Sequence, residues 1–285
     1  MNPIGVSTWL WTSPLTDRDL DRLAPRVAGW GFDVIELPIE QTGDWDPGRA
    51  AALLQGHGLG ATTCAVMTPD RDLSASDAEV RKSTGAYLRR CVEIAAAVGS
   101  PVVAGPIYAP VGRLWRVDAT ERPALLARVA EGLRPVADYA QSLGVRLALE
   151  PLNRFETSLI NTIAQALDVV ELVNSPGLGV CLDTFHLNIE EKDPAAAVRA
   201  AGRHVAHVQA CGTDRGTPGL DQFGWGRFNA ALADVGYMGP VCIESFTADN
   251  ASLARSASIW RPLAASADAL ALDGLAFLRR AFAPA

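Results

Sequence analysis

Rhythm constrains this chain more than any single residue does. Eight short apolar runs alternate with helix-length segments from end to end. The runs are IGVSTWLW (4–11), DVIELPI (33–39), LGATTCAVM (59–67), PVVAGPI (101–107), VRLALEPL (145–152), LGVCLDTFH (178–186), HVAHVQA (204–210) and PVCIESF (240–246). Near-continuous apolar runs of this length read as parallel strands covered on both faces. Helices are expected from Asp17 to Trp30, Pro47 to His57, after Ser76 to about Val98, about Thr120 to Leu143, Asn161 to Val173, Pro194 to Ala201 and Phe228 to Val235. An Ala/Leu-rich helical tail follows from Ser252 to Phe282. Thr16 or Asp17, Asn161 and Asp193 are candidate caps, Pro194 sits at a first helical position, and Gly144 is a stop. Neither a composition break, a Ser/Gly linker nor a charge block interrupts the pattern. Residues 1–285 therefore read as one domain, and eight strand–helix pairs fit one (β/α)8 barrel of about 250 residues plus insertions. A doubly wound sheet would also alternate, but no GxGxxG follows the first strand and no GxxxxGK[ST] occurs.

Three of the runs end on an acid: RLALE on Glu150, GVCLD on Asp183 and VCIE on Glu244. Acids at successive strand ends converge at the C-terminal mouth of such a barrel. In a low-dielectric cavity they repel one another, so a divalent cation among them is expected. Strand parity places Ala148, Glu150 and Leu152 on one face, then Cys181, Asp183 and Phe185, Val205, His207 and Gln209, and Cys242, Glu244 and Phe246. Glu150, Asp183, Gln209 and Glu244 then form a ring at one height, with His207 about 6–7 Å deeper as a hydrogen-bonded core residue. The long loop YAPVGRLWRVDATER after the fourth strand is a place for binding residues.

Bulk properties exclude several classes of function. The net charge is −7 and the Lys/Arg residues form no cluster, so nucleic acid is not an expected partner. No apolar run is long enough to span a bilayer, and the N-terminus reads as a first strand, not a leader. Five cysteines without a CxxC pair read as reduced thiols of a cytoplasmic protein.

LALEPLNRFET, GVCLDTFHLNIEE, HVQACGTDRGTPG and GPVCIESF carry a resemblance that spans most of the chain. They resemble the xylose-isomerase-like TIM barrels, and within them the D-tagatose/D-psicose 3-epimerase group of sugar isomerases and epimerases. The resemblance implies a divalent metal, Mn2+ first, with Mg2+ and Co2+ as alternatives, held by a Glu, an Asp, a His and a second Glu. Glu150, Asp183 and Glu244 match three of these. The strand-seven histidine is replaced: where relatives read roughly HxHxxE, this chain has Gln209 at the metal position and Gly212 at a nearby acid. An amide oxygen ligates Mg2+ or Mn2+ more weakly than imidazole does, so weakened or absent metal binding is expected if Gln209 is the fourth ligand. Glu156, His186 and Arg215 match residues that surround the substrate. Glu36, Cys64, Trp115 and the pair Trp9 and Trp11 are further candidates for sugar contact.

The implied reaction is epimerisation of a small keto-sugar through an enediolate, with Glu150 and Glu244 as the two proton-transfer groups on opposite faces. A lyase cleaving 3-keto glycosides, C-glycosides included, would use the same enolisation and lose a leaving group in place of reprotonation. A metal-deficient sugar-binding barrel or partner subunit is the third reading, and Gln209 is what favours it. Relatives imply a homo-oligomer, dimer or tetramer.

Overall fold

Side-chain caps set the register of most helices. Thr16, Asp46, Asp77, Thr162, Asp193 and Ser266 each accept a first-turn backbone N–H. The computed structural model of the chain describes residues 1–248 and 251–283. Its strands are β1 (Ile4–Ser7), β2 (Val34–Ile39), β3 (Gly60–Ala65), β4 (Val102–Gly105), β5 (Arg146–Leu149), β6 (Leu178–Asp183), β7 (Val205–Ala210) and β8 (Val241–Ile243). Its helices are α1 (Asp17–Trp30), α2 (Pro47–Gly56), α3 (Ala78–Val98), α4 (Arg122–Ser142), α5 (Ile163–Val173), α6 (Thr184–Glu190), α7 (Pro194–Ala201), α8 (Trp225–Asp234), α9 (Ala251–Ser256) and α10 (Ala267–Ala281). Every strand pairs in parallel with its sequence neighbour, and β8 closes on β1. The result is the expected (β/α)8 barrel.

Several boundaries differ from the sequence reading. The first strand ends at Ser7, and Thr8–Leu10 turn into a 3-10 helix whose N-terminal N–H, on Trp9, bonds the Ser7 hydroxyl. Strand six stops at Asp183, and α6 starts at once because the Asp183 carboxylate accepts the Phe185 N–H. Thr162 caps α5 because the Asn161 amide is engaged elsewhere, on the carbonyls of Leu152 and Thr157. The tail is two helices, α9 and α10, with Pro262 in the stretch between them.

The barrel interior is filled by small side chains: Cys64, Val102, Ala104, Ala148 and Cys181 are buried together. The larger core lies between the barrel and the apolar faces of its helices. Small residues in the centre leave room above them for polar side chains at the C-terminal mouth.

Candidate active site

Backbone bonds to neighbouring strands fix two of the three acids. The Glu150 N–H donates to the Gly105 carbonyl at 3.0 Å, and the Glu244 N–H to the Ala210 carbonyl at 3.1 Å. Each acid therefore continues the ladder one step beyond its strand. A cavity of about 410 Å3 opens above them. Glu150, Glu156, His186, Arg215 and Glu244 line it, together with Cys64, Trp9, Met67, Leu152 and Phe246. That volume lies in the range of small-molecule pockets.

The charges are unevenly compensated. Arg215 sits between Phe185 and Phe246, its guanidinium 4.7 Å and 5.1 Å from the two ring centroids. It pairs with Asp183 through Nη1 and reaches Glu244 Oε2 through Nη2 at 3.0 Å. Among the described residues, Glu150 faces only His186 as an ion-pair partner, with Nε2 3.4 Å from its Oε1. Burial, then the neighbouring Asp183, pushes the Glu150 carboxyl well above its ordinary range. Burial also raises Glu244 well above that range, against the pull of Arg215. For Asp183 burial opposes the charge, but Arg215 and His186 outweigh it and its pKa falls.

His186 is oriented by its neighbours. The Asn153 backbone N–H donates to His186 Nδ1 at 3.0 Å, and the Asn153 side-chain nitrogen lies 3.0 Å from the same atom. Glu156 Oε1 accepts the other Asn153 amide proton at 2.8 Å and so fixes which way that amide faces. With Nδ1 accepting, the neutral ring carries its proton on Nε2. Burial holds the imidazole pKa down, which favours the neutral form. Nε2 is buried, has no hydrogen-bond partner among the described residues, and lies 3.8 Å from Asp183 Oδ2 and 3.4 Å from Glu150 Oε1. It is an unused donor at the cavity.

Beneath the acids lies a second polar cluster. His207 Nε2 and Glu36 Oε2 are 2.6 Å apart, and the Thr62 hydroxyl donates to the same oxygen at 3.3 Å. His207 is thus the deeper, hydrogen-bonded histidine that parity anticipated. The Gln209 amide nitrogen donates to Glu244 Oε1 at 2.7 Å and to Glu36 Oε1 at 3.1 Å, while its oxygen accepts from the Cys181 thiol at 3.2 Å.

Among the described residues, two groups of side chains bring potential ligand atoms within 4.8 Å of one another: Glu150, Asp183 and His186, and Glu36, His207 and Cys242. The second is closed by its own hydrogen bonds. In the first, the two carboxylates are suited to a hard divalent ion, but His186 in the Nε2–H tautomer offers a proton there and not a lone pair.

Some sequence candidates lie elsewhere. Trp11 does not line the cavity: its indole N–H donates to Asp268 at 2.8 Å and its ring packs on Trp30. The 3-10 turn after Ser7 brings Trp9 to the cavity instead. Trp115 is half exposed and stacks on the Arg113 guanidinium at 3.7 Å, outside the cavity lining. Glu36 is fully buried below the cavity. Asn153 was not anticipated, because a single amide after a strand carries no sequence signal.

Comparison with known proteins agrees with this geometry. Residues 25–281 match the family described as "Xylose isomerase-like TIM barrel". The chain belongs to the xylose isomerase-like TIM barrel family. Within it, the chain is 36% identical over 278 residues to a protein of Synechocystis sp. named "Probable ketose 3-epimerase", covering 98% of this chain and 96% of that one. A solved "L-ribulose 3-epimerase" superposes with a TM-score of 0.92 at 31% identity, covering 99% of this chain and 95% of that one. A D-allulose 3-epimerase from Methylomonas sp., solved in complex with D-allulose, gives 0.91 at 28% identity, covering 98% and 96%.

Proposed function

We propose that this chain inverts the configuration of a small free ketose at the carbon beside its carbonyl, position 3. It is a sugar isomerase of the epimerase kind, as its relatives are. The observation that carries the chemistry is the pair of buried carboxylates, Glu150 from the end of β5 and Glu244 from the end of β8, facing one cavity. One removes the proton from one face of the sugar and the other returns it on the opposite face. Burial raises both above the ordinary carboxylate range, and a cation held between them would pull them back toward it. The His186 Nε2–H and the Arg215 guanidinium donate to the oxygens on which negative charge develops. Glu156, acting through Asn153, keeps His186 in the donating tautomer. Trp9 and Phe246 supply apolar surface for the carbon face of the sugar.

The resemblance implies a divalent metal, and the donor chemistry fits a hard one. Glu150, Asp183 and Glu244 would hold it, Mn2+ first, with Mg2+ next and Co2+ least suited to an oxygen donor set. The ion would act as a Lewis acid that acidifies the C–H beside the carbonyl. Gln209 turns its N–H groups, not its oxygen, toward Glu244, which argues against a ligand role in this arrangement. The lyase and binding-protein readings gain nothing from the relatives, which are named as epimerases. To this reading belong one continuous domain, from the unbroken strand–helix rhythm, a cytoplasmic location, from five cysteines without a CxxC pair, and a homo-oligomeric state, from likeness. The test is incubation of the purified chain with Mn2+ and a panel of ketohexoses and ketopentoses in D2O. Solvent deuterium should appear at C3 of the inverted product; no inversion across the panel would overturn the reading.

A further inference from the structure

The deep cluster under the acids reaches upward through one side chain. The Gln209 amide nitrogen bridges Glu244 Oε1 at 2.7 Å and Glu36 Oε1 at 3.1 Å. Glu36 is in turn held by His207 at 2.6 Å and by the Thr62 hydroxyl at 3.3 Å. All five side chains are buried. The Cys181 thiol fixes the amide from the other end by donating to its oxygen, so a flip would lose three hydrogen bonds and set the amide oxygen against two carboxylates. A primary amide has two N–H protons, and here each is directed at a different acid.

We propose that Gln209 and Glu36 are positioning residues for the catalytic carboxylate Glu244. At a position where the resemblance implies a metal-binding histidine, this chain has an amide that clamps the base. The clamp acts on one oxygen only: Oε1 of Glu244 faces Gln209, while Oε2 is the oxygen that Arg215 approaches. The bond to Oε1 holds the carboxylate at a fixed orientation, and Oε2 is left to exchange the C3 proton once the Arg215 guanidinium turns from it to the substrate oxygens. Glu150 lacks such a clamp among the described residues, so loss of the relay acts on one face of the sugar and not on the other.

This inference rests on the epimerase reading, and the test separates the two. Gln209→Met removes both donors while leaving the Glu36–His207 pair intact. Glu36→Gln keeps an acceptor for Gln209, whereas Glu36→Ala removes it. Misplacement of a reacting group by about 1 Å costs on the order of 10²-fold in rate. Accordingly kcat should fall by about that factor in Gln209→Met and Glu36→Ala, with KM within about threefold, and Glu36→Gln should recover most of it. The decisive readout is the primary kinetic isotope effect with C3-deuterated ketoses. In Gln209→Met it should rise for the epimer deprotonated by Glu244 and fall for the epimer deprotonated by Glu150, for which the return of the proton by Glu244 becomes the slow step. An unchanged isotope effect for both epimers would overturn the proposal, because a loss of folded enzyme lowers kcat without altering it. A second readout needs no turnover: 15N NMR of glutamine-labelled protein, with Gln209 assigned by its absence in Gln209→Met. Its two amide protons should exchange slowly, and one should be freed in Glu36→Ala. Rapid exchange of both in the unmutated protein would sink the clamp even if that protein epimerises. If it epimerises nothing, the functional reading falls while this measurement still decides the clamp.

Discussion

At the scale of single residues, the site is short of positive charge. One guanidinium, Arg215, serves Asp183 and Glu244, and Glu150 is left with a neutral imidazole. Two substitutions follow from this. Glu150→Gln keeps the shape and removes the base, so C3 exchange and inversion should fall at least about 10³-fold while the melting temperature holds or rises. A large drop in melting temperature would show instead that Glu150 is structural. Gln209→His places an imidazole where the amide turns its protons, and Mn2+ affinity, read by competition with a chelating dye, should tighten on the order of tenfold or more. Unchanged affinity would mean that position 209 does not face the ion. The acids themselves were legible because strand parity and strand ends are periodic. The reach of Arg215 was not: it sits in the turn TDRGTPG with a φ of +70°, where no period reports direction. Nor does a sequence say which end of the Gln209 amide faces an acid.

Among the elements, the central strands were read well and their ends less so. TWLW continues the apolar run of β1, yet the Ser7 hydroxyl turns the chain into a 3-10 helix and thereby exchanges Trp11 for Trp9 at the cavity. α6 is only seven residues long, too short to show a helical period, so DTFH read as strand. β4 carries a more exacting requirement. Gly105 has a φ of +123°, and a Cβ there would stand 2.7 Å from the Ala65 carbonyl oxygen. Its own carbonyl accepts the Glu150 N–H. Gly105→Ala should therefore cost about 1–3 kcal/mol of stability and also lower kcat, by displacing Glu150. Denaturant unfolding measures the first and steady-state kinetics the second. A wild-type kcat in a destabilised variant would show that the strand end does not place the base.

For the molecule as a whole, closing eight parallel strands is what makes the site self-consistent. The barrel brings acids from β5, β6 and β8 to one mouth although the sequence separates them by tens of residues. Those carboxylates repel one another in a buried setting, so the closed barrel holds unfavourable charge that a divalent ion would relieve. An ion that binds only the folded chain stabilises it by about 2.7 kcal/mol at a hundred times its Kd. For a chain of this size each kcal/mol moves the melting temperature by about 2–4 °C, so Mn2+ should raise it by on the order of 5–10 °C over an EDTA-treated sample. The Asp183→Asn, Glu244→Gln double variant should lose that shift, since it removes two of the three carboxylates and leaves the surface unchanged. Arg215 already pairs with both of those acids and must release them, so Arg215→Leu should enlarge the Mn2+ shift while abolishing inversion. If the melting temperature of the unmutated chain is indifferent to Mn2+, Mg2+ and Co2+ alike, Asp183 and Glu244 are balanced by Arg215, Glu150 does without a cation, and the site works without a metal.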